Sequence, residues 1–132
     1  MNLQEALEAY AENSEGQFIR YNDEISFVIA PVSGGRNQKV VVKLVQNELY
    51  NRKMIHVSSQ VCTLSDGPDF RRLLEQSAHF NYCRFVIREG NLEVESVAEA
   101  TSFTAPVLGE MITETANLAD QFEMIITGND RN

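Results

Sequence analysis

Two histidines and two cysteines are the side chains in this sequence best suited to metal binding or nucleophilic catalysis. His56, Cys62, His79 and Cys83 fall in separate predicted elements, and no C-x-x-C pair is present. A structural zinc site needs closely spaced ligands, and a cysteine nucleophile needs an adjacent base. The pattern therefore predicts no metal site, and it predicts that both cysteines are buried free thiols.

The surroundings of the two histidines favour structural positions. His56 lies in a predicted strand where Ser58 and Cys62 share its face, an arrangement that alternation produces in every strand. His79 falls at the end of a predicted helix, where a cationic imidazole complements the negative end of the helix dipole. The sequence contains neither G-x-S-x-G nor a recognisable Cys-His signature of a hydrolase. We therefore assign no catalytic residue.

Carboxylate pairs and a glycine-rich turn are the remaining candidates for chemistry. Glu93 and Glu95 alternate on one predicted strand, and Glu110 and Glu114 lie one turn apart on a predicted helix. Both pairs are predicted to be solvated, because they fall on the polar faces of amphipathic elements. The Ser-Gly-Gly-Arg turn at 33–36 is followed by a β-branched run, whereas a phosphate loop needs a following helix. The sequence supports neither an enzyme nor a cofactor site.

Periodicity and turn signals predict the elements that position these residues. Three helices are expected: one capped by Asn2, one beginning at 66–69, and a long one over 107–126. Runs of β-type residues predict six strands, at 17–21, 25–30, 40–45, 54–61, 84–87 and 92–97. The order α-β-β-β-β-α-β-β-α has no crossover helix between most successive strands. It therefore predicts an α+β fold with an antiparallel sheet.

The sequence predicts the surroundings of one face on each of two helices. The middle helix is predicted to bury the apolar residues Phe70, Leu73, Leu74 and Ala78. The polar face of the last helix is predicted to meet water or a polar partner, and its residues are Glu110, Glu114, Asn117, Asp120 and Glu123.

Length, composition and charge limit the classes of function. The chain of 132 residues, 43% of them hydrophobic, is predicted to form a single α+β domain over 1–132, with 127–132 as a flexible tail. A net charge of −8 opposes binding to nucleic acid or to anionic membranes, since both require Lys and Arg. Neither a membrane span nor a signal peptide is recognisable, and a cytoplasmic location is expected.

One stretch resembles a known superfamily. It runs from Leu-Leu-Glu-Gln-Ser at 73–77 through Phe-Asn-Tyr-Cys-Arg-Phe-Val-Ile at 80–87 to Gly-Asn-Leu at 90–92. With the element order and the small acidic chain, it resembles the type III secretion chaperone-like superfamily. The nearer resemblance is to the bacterial sensory-transduction-regulator-type (YbjN-like) proteins and to uncharacterised cyanobacterial relatives, whose long last helix bears an Ala-Asp pair, here 119–120.

The resemblance implies a chaperone-like fold, a homodimer, and a protein partner or client held on an apolar groove of the strands. The candidate groove residues are Val40, Val42, Leu44, Ile55 and Val57. The run Val40-Val41-Val42 places apolar side chains in both alternating sets of one strand, which must then be covered on two sides.

These observations favour a non-catalytic protein-binding or regulatory module, and two alternatives stay open. One is a small-ligand-binding protein or enzyme with a pocket between sheet and helices, lined by Tyr21, Phe27, His56 and Tyr82. The other is a structural subunit whose acidic last helix meets a basic partner.

Overall fold

The computed structural model describes residues 2–128, in which six strands form one antiparallel sheet of order β1-β2-β3-β4-β6-β5. The strands are β1 (Gln17–Arg20), β2 (Ile25–Pro31), β3 (Asn37–Asn47), β4 (Arg52–Thr63), β5 (Arg84–Arg88) and β6 (Asn91–Glu99). A two-residue turn joins β5 to β6, and both its residues, Glu89 and Gly90, have positive φ, as tight hairpins of this kind require. β1 and β5 are the edges of the sheet.

Three α-helices accompany the sheet. They are α1 (Leu3–Ser14), α2 (Phe70–Ser77) and α3 (Ala105–Thr127). Helix α1 begins where the side chain of Asn2 accepts a hydrogen bond from the N–H of Glu5, and α3 begins where Thr104 accepts one from Val107. The predicted α+β class and element order are confirmed.

The alternating residues of the strands divide the sheet into two faces. The covered face supplies most of the sheet's core residues and packs against the helices. One core cluster consists of Ala6, Leu7, Val28, Ala30, Val40, Val42, Ile55, Val57, Leu108, Met111, Ile112 and Ala116. A second consists of Val61, Cys62, Leu73, Cys83, Leu92, Val94, Ala119 and Phe122. The opposite side of the sheet, which we call the open face, contributes no residue to the first cluster.

Strands β3 and β4 extend beyond the predicted segments into polar residues. The amide of Gln38 is buried and donates a hydrogen bond of 2.9 Å to the Ser59 hydroxyl, which donates one of 2.6 Å to the carbonyl of Lys39. The pairing of β4 with β6 shifts between Gln60 and Cys62, as at a β-bulge. Buried hydrogen bonds therefore extend the sheet where hydrophobic periodicity ends.

Helix α2 buries less than its pattern predicts. Of the four residues expected on its buried face only Leu73 is buried, while Phe70, Leu74 and Ala78 are exposed. Ala78 caps the helix, which has eight residues. An amphipathic period identifies an apolar side of a helix, but it does not show that another element covers that side.

The polar face of α3 is also less exposed than predicted. Asp120 and Glu123 are buried. The Asp120 carboxylate accepts hydrogen bonds of 2.9 and 2.7 Å from Nε and Nη2 of Arg36, in the turn before β3. The sequence predicted water or a polar partner at this face. At these two positions water is excluded, because tertiary packing places both carboxylates inside, and the polar partner of Asp120 is the guanidinium of Arg36 in the same chain.

The predicted tail overlaps the end of α3. Thr127 is the last helical residue, and Gly128 caps the helix with a φ of 74°. The rest of that predicted tail, 129–132, lies outside the described residues.

Candidate functional site

The open face carries apolar side chains on β1 to β3. Ile19, Phe27 and Val41 lie in register across these strands, and the Tyr21 ring contacts the Phe27 ring edge-on at 6.1 Å between centroids. Val45 continues the row along β3; Ile19, Tyr21 and Val45 are exposed, and the other two are half-buried. We call these five residues the apolar half. The solvated face of an antiparallel sheet is usually polar, so this patch is the main candidate for docking.

The same face carries an ionic cluster on β4 to β6, which consists of His56, Arg84, Arg88 and Glu95. The Glu95 carboxylate accepts hydrogen bonds of 3.0 Å from Arg84 and 2.9 Å from Arg88, and it lies 3.2 Å from Nδ1 of His56. It is only 1% exposed, so the prediction that it is solvated is wrong.

The partners of Glu95 decide its protonation. Burial by itself would raise the pKa of Glu95, but the hydrogen bonds from Arg84, Arg88 and His56 outweigh burial and lower the pKa below its ordinary value. A general acid needs a raised pKa. Glu95 therefore organises the arginines of this face and is unsuited to general acid catalysis.

The structure places the predicted groove residues on the other side of the sheet. Val40, Val42, Ile55 and Val57 belong to the core beneath α1 and α3, and Leu44 packs against that core. Their side chains would become accessible only if the helices moved. The alternating set that includes Val41 and Val45 faces outward instead. The sequence signal for this second set was the apolar run at 40–42.

A second apolar surface lies where α2 meets the edge strand β5, and we call it the edge surface. It includes Phe70, Leu74 and Ile87, around a cavity of ≈ 320 Å³. Leu74 is 66% and Ile87 57% exposed. An edge strand also presents backbone N–H and C=O groups that can pair with another strand. Apolar side chains and an accessible edge therefore occur together.

Glu114 of α3 fixes the chain that enters β5. Its carboxylate accepts hydrogen bonds from the backbone N–H groups of Asn81, Tyr82 and Cys83 at 3.0, 2.8 and 2.9 Å. Burial alone would raise its pKa, but these bonds outweigh burial and lower it. The charged carboxylate therefore helps to hold the edge surface in place.

We expect Glu114→Gln to lower the free energy of unfolding by about 1–2 kcal/mol at neutral pH, because the amide lacks the charge that strengthens these bonds. A lowered folded-state pKa stabilises the fold above the ordinary value of 4.5, and this stabilisation is lost as pH falls through the folded-state pKa. The difference between wild type and variant should therefore shrink in acid. Urea unfolding across this pH range measures it, with exposed Glu12→Gln as control; a difference that grows in acid would contradict the assignment.

Both cysteines are buried and neither forms a disulfide within residues 2–128, as predicted. Burial is the main cause that raises the pKa of Cys83 to about 12. Since the thiolate is the reactive form, we expect both thiols of the native protein to react with DTNB at least about a hundredfold more slowly than after unfolding. The released thiolate is followed by absorbance with and without denaturant. Rapid labelling of the native chain would show that one cysteine is accessible.

The residues of the hypothetical ligand pocket are not brought together. Tyr21 and Phe27 lie in the apolar half, and His56 lies in the ionic cluster. The hydroxyl of Tyr82 instead donates to Glu110 on α3 at 3.1 Å. Within residues 2–128, no three His, Cys, Asp or Glu side chains are grouped so that they could hold a metal ion. No helix in that range is long and apolar enough to cross a membrane.

Comparison with solved structures gives the fold. A chain of the HopA1–SchA chaperone–effector complex superposes with a TM-score of 0.62 at 12% identity, over 91% of both chains. A chain in the crystal structure of the ExsC–ExsE complex superposes with a TM-score of 0.56, also at 12% identity, over 96% of this chain and 97% of that one. The fold is type III secretion chaperone-like. No protein-family model matches the sequence, and no curated protein matches it.

Proposed function

We propose that this chain is a non-catalytic, chaperone-like protein-binding module whose open face holds a segment of a partner or client protein. The observation that carries the proposal is the apolar half: five neighbouring side chains on a sheet face that faces away from the core. The chaperone–effector complex among its structural neighbours supports the same class of function. The proposal includes a cytoplasmic location and the nearer relation to sensory-transduction-regulator-type proteins.

The apolar half suits reversible docking. Each Å² of apolar surface that a partner covers contributes roughly 25 cal/mol. The strands beneath are held by pairing on both sides, except at β1, so binding there orders little of this chain. Most of the entropic cost of binding would therefore fall on the partner segment.

The test compares capture of partners by the tagged wild-type protein and by Ile19→Ser/Val45→Ser. Both positions are exposed, so the double variant should fold normally by circular dichroism while losing apolar docking surface. Leu49→Ser/Ile125→Ser, at exposed apolar positions off the open face, is the matched control. Quantitative mass spectrometry of the captured proteins should show a partner that wild type and control retain and the open-face variant loses. Equal capture by all three proteins, or no partner at all, would contradict the proposal.

We also propose that two copies associate through the edge surface, which would pair two β5 strands and cover Phe70, Leu74 and Ile87. Wild type should then be a dimer by light scattering after gel filtration. Leu74→Asp/Ile87→Asp should be a folded monomer, because both side chains are exposed in one copy. A wild-type protein that remains monomeric at the highest attainable concentration would rule this interface out.

A further inference from the structure

The open face carries charges of both signs, but its carboxylates are already paired within the chain. Glu93 accepts a hydrogen bond of 2.6 Å from Arg88, and Glu95 belongs to the ionic cluster. Glu99, at the end of β6, lies 3.5 Å from the guanidinium of Arg52. A basic partner segment would therefore have to compete with the chain's own arginines.

The lysines of the open face differ from its carboxylates. Lys39 and Lys43 flank Val41 on β3, and both are exposed. Among residues 2–128 neither forms an ion pair with a carboxylate; Lys39 lies with its Nζ 4.6 Å from the Phe27 ring centroid. They are two of the three lysines in a chain of net charge −8, and the third is Lys53. Among the described residues, positive charge that lacks a carboxylate partner thus coincides with the apolar half.

We infer that the segment held on the open face is a peptide segment of a partner protein that is both apolar and acidic. This inference rests on the proposed function and specifies its partner. Apolar side chains of the segment would cover Val41 and its neighbours, and Asp or Glu would pair with Lys39 and Lys43. These lysines are four positions apart along the strand, which separates them by roughly 13 Å. A polyphosphate would match the lysines but would leave the apolar half uncovered, so a nucleic acid fits this face less well.

The experiment selects binders from a library of random peptides displayed on phage, using the full chain as bait. Enriched peptides are expected to combine apolar residues with an excess of Asp and Glu. A synthetic copy of the best peptide is then titrated by fluorescence anisotropy against wild type and variants. Lys39→Glu/Lys43→Glu should weaken binding about tenfold, because two attractions become repulsions.

The control variant is Lys53→Glu/Arg71→Glu, which changes the net charge equally at exposed positions away from the open face and should bind within about twofold of wild type. Circular dichroism checks that every variant is folded.

The outcomes separate this inference from the proposed function. One outcome is that Ile19→Ser/Val45→Ser weakens binding of peptides that are neutral or basic, or that bind Lys39→Glu/Lys43→Glu as tightly as wild type. That result overturns the acidic partner and leaves the open-face function standing. If no peptide is enriched, or if Ile19→Ser/Val45→Ser binds as wild type does, both fail. A single-stranded RNA that binds wild type as tightly as the best peptide would also overturn the inference.

Discussion

Val57→Asp is expected to leave the chain unfolded at room temperature. Val57 is 0% exposed and lies between the sheet and the helices, paired with Val42 across β3 and β4. A carboxylate there has no cation to pair with in the first core cluster, which is entirely apolar. An unpaired charge in such a site costs more than about 4 kcal/mol, a large share of the 5–15 kcal/mol that holds a typical domain together.

Val45→Asp is the matched control, since it makes the same substitution on the open face of β3. It should retain native circular dichroism and a cooperative thermal transition, with a loss below about 1 kcal/mol. The pair of variants distinguishes the two faces of the sheet. If Val57→Asp folded normally and Val45→Asp did not, the covered and open faces would have been assigned the wrong way round.

Asp120→Ala is expected to lower the free energy of unfolding by about 3 kcal/mol, since it removes a buried carboxylate and with it two charge-assisted hydrogen bonds from Arg36. The Asp120 carboxylate is buried, whereas the Arg36 guanidinium is partly solvated, which places the effect at the lower end of the range for such pairs. Urea unfolding measures the change, and the same titration of Asp120→Asn shows how much of it depends on the charge.

The exposed pair of Arg20 and Asp23 provides the comparison. Its atoms are 2.5 Å apart, yet the Asp23 side chain is almost fully solvated. Asp23→Ala should therefore cost less than about 1 kcal/mol, because water and salt screen exposed pairs. Equal losses for Asp120→Ala and Asp23→Ala would show that the Arg36 contact does not stabilise the fold as a buried pair does.

The position of the pair of Arg36 and Asp120 connects its stability effect to the proposed function. The pair of Arg36 and Asp120 ties α3 to the turn that begins β3, the strand that carries Lys39, Val41, and Lys43. Loss of the pair should loosen the contact between α3 and the start of β3 without changing any side chain on the open face. We therefore expect substitutions at Asp120 to reduce stability more than they reduce the affinity of the folded fraction for a partner.

The sequence by itself determined the elements and their order. The helix cap at Asn2, turn residues such as Gly90, and the two hydrophobic periods act over a few neighbouring residues, so they can be interpreted without a partner element. The buried state of the two cysteines was predictable for the same reason, since each lies beside β-type residues.

Only the tertiary structure decided which surface is free. Alternation divides β3 into two sets, but both contain valines, and the set that faces the helices is fixed by contacts with distant α1 and α3. Likewise, local patterns place Glu95 and Asp120 on solvated faces. In the structure Glu95 pairs with Arg84 and Arg88 of the neighbouring strand β5, and Asp120 pairs with Arg36 from a distant part of the chain. Burial and charge pairing depend on contacts between different elements of the fold. Local patterns therefore predicted the architecture, whereas the open face could be identified only from the tertiary structure.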